Sequence, residues 1–119
     1  MKHAVLGFIT ALALGTAATA QEKPDLVTIV ATGEPQTQLM SMVLTMQALR
    51  QGSDAHVLLC GPAGDLALQD APDAATAPQK PKGMSPQGLM QKIMEAGATV
   101  EVCAIYLPNK GVGPEALLD

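Results

Sequence analysis

Segments typical of β-strands alternate with segments typical of helices along this 119-residue chain. Residues 26–32, 55–60 and 99–105 are rich in apolar and β-branched side chains and are bounded by glycine. Between them, residues 36–51 and 85–96 carry apolar side chains at helical spacing. Strands that alternate with helices are joined by right-handed crossovers and form a parallel sheet. The sequence therefore predicts the α/β class.

The first strand segment suggests how the sheet is covered. Residues 26–32 read Leu-Val-Thr-Ile-Val-Ala-Thr, a nearly continuous apolar run that is typical of a parallel strand buried on both faces. We therefore predict a central first strand, the strand order 2-1-3 and helices on both faces of the sheet. A last helix is expected to open at residues 111–114. Three strands are few for a covered sheet, so we also expect the fold to continue beyond Asp119.

Residues 71–84 interrupt this regular alternation. This Pro/Ala/Lys-rich stretch contains three prolines, which predicts a mobile loop without regular structure. Ser85 and Pro86 follow it as the expected N-cap and first residue of the second long helix.

The first twenty residues have the form of a signal peptide. A short basic start at Lys2 precedes an apolar run over residues 4–14, and Ala18 and Ala20 form a small-residue cleavage site. The run is shorter than the roughly 20 residues that span a bilayer. We predict cleavage after Ala20, export to the periplasm, and one soluble domain over residues 21–119 with no membrane attachment. A buried N-terminal helix is the alternative.

Composition excludes several classes of function. The net charge of −4 and the 2% aromatic content argue against a nucleic-acid-binding surface, which needs basic and stacking side chains. Two cysteines are too few for a four-thiolate zinc site. The phosphate-binding glycine motifs and C-x-x-C are absent from the sequence. No cofactor or resident metal is therefore expected.

Both cysteines end predicted strands, at the edge where parallel sheets bind ligands. Cys103 is the stronger candidate for a reactive thiolate, because a following helix and Lys110 would lower the pKa of its thiol. A buried structural cysteine is the alternative for Cys103, and it is favoured for Cys60. With the order 2-1-3 the two residues would lie roughly 9–10 Å apart, two strand spacings. A disulfide is conceivable in an oxidising compartment, but it requires about 7 Å or less between Cα atoms, so this geometry argues against one.

His56 and the methionines are the other candidates. His56 begins the second strand, at the opposite edge from the cysteines, and is expected to have a surface or structural role. The methionines include two i,i+4 pairs, Met42/Met46 and Met90/Met94. Thioethers favour Cu(I), so a Cu(I)-binding periplasmic protein is an alternative function. Methionines that fill a core poor in aromatic residues are the favoured interpretation.

The region around Cys103 resembles the DsrE/DsrF-like sulfur-relay family. The shared features are a strand ending in a cysteine, about seven further residues, and then Gly111 and Val112. The start of the mature chain is also similar, with residues 28–33 followed by a helix that ends Gln-Ala-Leu-Arg-Gln-Gly and then by a second strand at His56. The resemblance covers most of residues 26–119.

The resemblance implies a parallel sheet, usually of five strands, in subunits that form homo-oligomers as trimers or hexamers. It implies that Cys103 accepts sulfur as a persulfide and that Lys110 stabilises the thiolate. Family members described in detail are cytoplasmic, whereas this chain carries an export signal. Its partners are therefore expected to be periplasmic sulfur donor or acceptor proteins. A non-catalytic oligomeric binding module is a further alternative.

Overall fold

The computed structural model describes residues 24–119, and the predicted signal peptide lies outside the described residues. The three strands are β1 (Asp25–Val30), β2 (Asp54–Leu59) and β3 (Thr99–Val102). The helices are α1 (Pro35–Arg50), α2 (Asp73–Thr76), α3 (Pro86–Glu95) and α4 (Tyr106–Lys110), with 3-10 helices at Gly61–Ala67 and Pro114–Ala116. The predicted α/β class with a parallel sheet is confirmed.

The two long helices begin at residues whose side chains satisfy free backbone N–H groups. The Glu34 carboxylate accepts hydrogen bonds from the backbone N–H groups of Gln36 and Thr37 at the start of α1. Ser85 accepts a hydrogen bond from the backbone N–H of Gly88 at 3.0 Å, and Pro86 is the first residue of α3. The predicted cap of the second long helix is therefore confirmed.

The order of the strands differs from the prediction. β2 is the central strand and pairs in parallel with both neighbours, so the order is β1-β2-β3 and the predicted order 2-1-3 is wrong. Val57 of β2 lies between Thr28 and Val100 in the register of the sheet. The first strand is therefore an edge strand, although its sequence is apolar enough for a central one.

The described helices cover one face of the sheet, so the prediction of helices on both faces is wrong. Burial alternates along β2, where Ala55, Val57 and Leu59 are buried while Asp54 and His56 are exposed. Both errors have one cause. Two right-handed crossovers that step in the same direction across a sheet place their helices on the same face, whereas the order 2-1-3 would place them on opposite faces. We call the uncovered side the open face.

The core lies between the covered face and helices α1 and α3. The sheet contributes Val30, Val57 and Leu59, and the helices contribute Met42, Met90 and Ile93. On α1 the buried stripe also includes Thr45, whose hydroxyl lies 3.0 Å from the Thr28 hydroxyl on β1. Within residues 24–119, no helix is both long and apolar enough to cross a membrane.

Two connecting segments contain regular structure that the sequence did not predict. The Pro/Ala/Lys-rich stretch forms the four-residue helix α2, and a single antiparallel bridge joins Gln79 to Met84. Beyond β3, residues 106–110 form α4, which the sequence did not predict. The last helix, expected to open at residues 111–114, is the 3-10 helix Pro114–Ala116.

Candidate functional site

Cys60 and Cys103 occupy matching positions one residue beyond the ends of neighbouring strands. Leu59 and Val102 form the last register pair between β2 and β3. The hydrogen bonding continues past that pair, since the backbone N–H of Cys60 donates to the Val30 carbonyl at 2.8 Å. The N–H of Cys103 donates to the Leu59 carbonyl at 2.9 Å. The two cysteines are therefore held side by side by the backbone of the sheet.

The two cysteines form a disulfide, with a Cα–Cα distance of 5.1 Å. The prediction that they lie too far apart is wrong, because it followed from the incorrect strand order. With β2 central, the cysteines are separated by one strand spacing of about 4.8 Å, which a disulfide can bridge. Neither cysteine of the chain is a free thiol in this structure.

The disulfide is half-buried at the carboxyl edge of the sheet. Both cysteines have intermediate exposure. Side chains alternate between the faces of a strand, so Cys60 continues the row of His56 and Leu58, and Cys103 continues the row of Thr99 and Glu101. The pair therefore lies on the side of the open face, where the described helices leave the sheet uncovered.

An open cleft of about 520 Å³ is lined by residues that follow the two cysteines in sequence, while the cysteines themselves do not line it. Its walls come from the segments that follow each cysteine, with Gly61 and Pro62 on one side and Ile105 and Tyr106 on the other. Ile105 is 72% exposed.

Asp65 organises the polar end of this cleft. Lys110 Nζ donates to Asp65 Oδ1 at 2.7 Å, and the Tyr106 hydroxyl donates to the same oxygen. Burial alone would raise the pKa of Asp65, but the hydrogen bonds from Lys110 and Tyr106 and the charge of Lys110 outweigh it and lower the pKa. Burial, together with the adjacent carboxylate, raises the pKa of Tyr106.

Close packing holds this network in place. Tyr106 is buried, and its ring lies directly against Gly64 of the 3-10 helix. A Cβ atom at position 64 would overlap the ring carbons, so only glycine fits there without displacing the ring. The chain segment after Cys60 is thereby fixed to the segment after Cys103.

The two predicted site residues, Cys103 and Lys110, have different partners in the structure. Cys103 lies at the predicted sheet edge and forms the disulfide with Cys60. The Lys110 ammonium forms a salt bridge with the Asp65 carboxylate. The following helix α4 has only five residues. Stabilisation of a Cys103 thiolate by Lys110 stays a prediction. Sequence reasoning did not single out Asp65, because a single aspartate in a short turn segment carries no motif.

The methionines and His56 are the remaining candidates from the sequence, and their burial distinguishes core from surface positions. Met42 and Met90 are fully buried in the core, and Met46 and Met94 pack against it, so core filling is confirmed for these two pairs, whereas Met40 is 55% exposed. His56 is exposed on β2, and its surface position is confirmed. Among the described residues, no group of three or more His, Cys, Asp or Glu side chains is arranged to hold a metal ion.

Replacing Asp65 by asparagine tests the network. We expect Asp65→Asn to lower the pKa of Tyr106 toward its ordinary value, because the carboxylate that opposes ionisation of the phenol is removed. Tyr106 is the only tyrosine in the chain, so an ultraviolet absorbance titration reports on it alone. The matched control is Asp70→Asn, at an exposed position nearby in sequence. An identical phenol titration in the two variants would contradict the network.

The same variant has a pH-dependent effect on stability. A carboxyl group whose pKa is lowered by folding stabilises the native state above its unfolded-state pKa, and this stabilisation disappears as pH falls through the folded-state value. We expect wild type to exceed Asp65→Asn by about 1 kcal/mol in the free energy of unfolding at neutral pH. The difference should begin to shrink at about pH 4 and vanish only when pH falls below the lowered folded-state pKa of Asp65. Urea unfolding across this pH range measures it.

No protein-family model matches the chain, and no curated protein matches it significantly. The likeness to the DsrE/DsrF-like family therefore rests on the residues around Cys103 and on the order of the elements.

Proposed function

We propose that the protein is an exported DsrE-like sulfur carrier that accepts sulfane sulfur as a persulfide on Cys103. The observation that carries the proposal is the position of Cys103, which lies half-exposed one residue beyond the carboxyl end of a parallel strand. Its pairing with Cys60 is further support, because a disulfide on this rim gives the site a ready means of thiol–disulfide exchange.

The transfer requires the thiol form of the pair. An external thiol first reduces the disulfide and is itself oxidised. The Cys103 thiolate then attacks the outer sulfur of a donor persulfide R–S–SH, which forms Cys103–S–SH and releases the donor thiolate R–S⁻. An acceptor thiolate removes the outer sulfur in the same way and regenerates the Cys103 thiolate. Each step exchanges one sulfur–sulfur bond for another.

The partners follow from the location and from the family resemblance. An exported carrier would meet periplasmic proteins that donate or accept sulfane sulfur. We also propose a homo-oligomer, as the resemblance implies. Val27 and Ile29 on the open face are each 65% exposed, and apolar side chains exposed next to each other on a sheet are typical of an interface.

The proposal is tested by intact mass after sulfur loading. Reduced wild-type protein, freed of reductant, is incubated with polysulfide under anaerobic conditions, and we expect one or more sulfur atoms to be added. Cys60→Ser should retain this addition, because Cys103 remains available. Cys103→Ser should lose it. A non-catalytic binding module would show no addition to any of these proteins, and equal addition to both variants would also contradict the proposal.

A further inference from the structure

The Cys60–Cys103 disulfide places an oxidant directly at the proposed sulfur-accepting residue. We infer that the oxidised protein loads itself from hydrosulfide, with Cys60 as the leaving group, and this inference rests on the proposed function of Cys103. The disulfide is then the reactive form of the site toward inorganic sulfide. A donor persulfide is the substrate of the reduced form only.

The loading step balances without another reactant. Hydrosulfide attacks Sγ of Cys103, a new bond forms between the two sulfur atoms, and the Cys60–Cys103 bond breaks. The products are Cys103–S–SH and the Cys60 thiolate, so the anionic charge moves from hydrosulfide to Cys60. Sulfide is oxidised to the sulfane level, and the disulfide accepts the two electrons.

The strand order determines the side from which each sulfur atom is attacked. Exchange at sulfur depends on access to the attacked atom, and the nucleophile approaches along the line of the breaking bond. The Cys60–Cys103 bond joins the end of the central strand to the end of the edge strand. Attack on Cys103 therefore comes from outside the β3 edge, where the next two residues, Ala104 and Ile105, are exposed.

Attack on Cys60 has to come from the side of β1. The backbone N–H of Cys60 is bonded to the Val30 carbonyl, which fixes the end of β1 beside it. The next residue, Gly61, also lies near this segment, since a Cβ built there would be 4.0 Å from the Ala31 carbonyl oxygen. We therefore expect the segment at the end of β1 to restrict the approach to Cys60, which places the persulfide on Cys103.

The experiment uses the oxidised wild-type protein and sodium sulfide under anaerobic conditions. We expect a gain in intact mass equal to one molecule of hydrogen sulfide. Alkylation followed by tryptic digestion locates the added sulfur, because cleavage after Lys82 and Lys92 separates the two cysteines. The alkylated persulfide should be on Cys103, and the alkylated thiol on Cys60.

Two controls separate the inference from the proposed function. Cys60→Ser has no internal disulfide and should take up sulfur from polysulfide but none from sulfide, which also shows that the sulfide contains no polysulfide. Reduced wild type should also take up sulfur from polysulfide but none from sulfide. This second control does not require a variant to fold. Loading of reduced protein by polysulfide, with no loading of oxidised protein by sulfide, overturns the inference alone. A persulfide found on Cys60 overturns the assignment of the attacked sulfur, and failure of both reactions overturns the proposed function as well.

Discussion

Reduction of the Cys60–Cys103 disulfide is expected to lower the free energy of unfolding by about 4 kcal/mol, the value that chain-entropy arguments give for a crosslink of this span. The cysteines are 43 residues apart in sequence, so the crosslink closes a long loop in the unfolded chain. The loss is large relative to the total stability of small domains, roughly 5–15 kcal/mol. Urea unfolding of oxidised and reduced protein measures the difference.

The double variant Cys60→Ser/Cys103→Ser is the control for this measurement, because it lacks the crosslink under both conditions. Its stability should match that of the reduced wild type to within about 1 kcal/mol and should not respond to reductant. If reduction leaves the wild-type unfolding midpoint unchanged, the crosslink does not stabilise the fold. A large effect would mean that the reduced form, which accepts sulfur from a donor persulfide, is much less stable toward global unfolding than the oxidised form.

Leu59→Ala is expected to destabilise the fold by about 2–5 kcal/mol, the usual cost of emptying a core position. Leu59 ends the central strand with its side chain fully buried, in the same cluster as Met42, Leu66 and Ile93. The chain has one phenylalanine and no tryptophan, so the core depends on aliphatic side chains and methionine.

Leu58→Ala is the matched control for this second prediction. Leu58 is the preceding residue of the same strand, but it lies on the open face with intermediate exposure. The two variants remove the same atoms, so their difference isolates burial on the covered face. We expect Leu58→Ala to cost about 1 kcal/mol, in proportion to its smaller buried area. Equal losses in the two variants would mean that both faces of the sheet are covered in solution.

Local features of the fold were predictable from the sequence. The strands and the two long helices lie within a few residues of their predicted positions, since apolar periodicity acts over short distances along the chain. The N-cap at Ser85 was predictable because a capping side chain reaches a backbone N–H only three residues away. The core positions of Met42 and Met90 followed from composition, since few aromatic residues are available to fill the volume.

The tertiary structure alone decided the order of the strands, and the candidate site depends on that order. Val27 and Ile29 make β1 look like a strand buried on both faces, yet both side chains are largely exposed. The connection from β2 to β3 can place β3 beside β2 or on the far side of β1. The choice depends on packing between segments distant in sequence, which the periodicity of apolar residues does not predict. The observed order puts α1 and α3 on one face, leaves the other open, and brings Cys60 beside Cys103. The sequence thus determined the elements and the two candidate sulfur atoms, and long-range packing determined that these atoms meet.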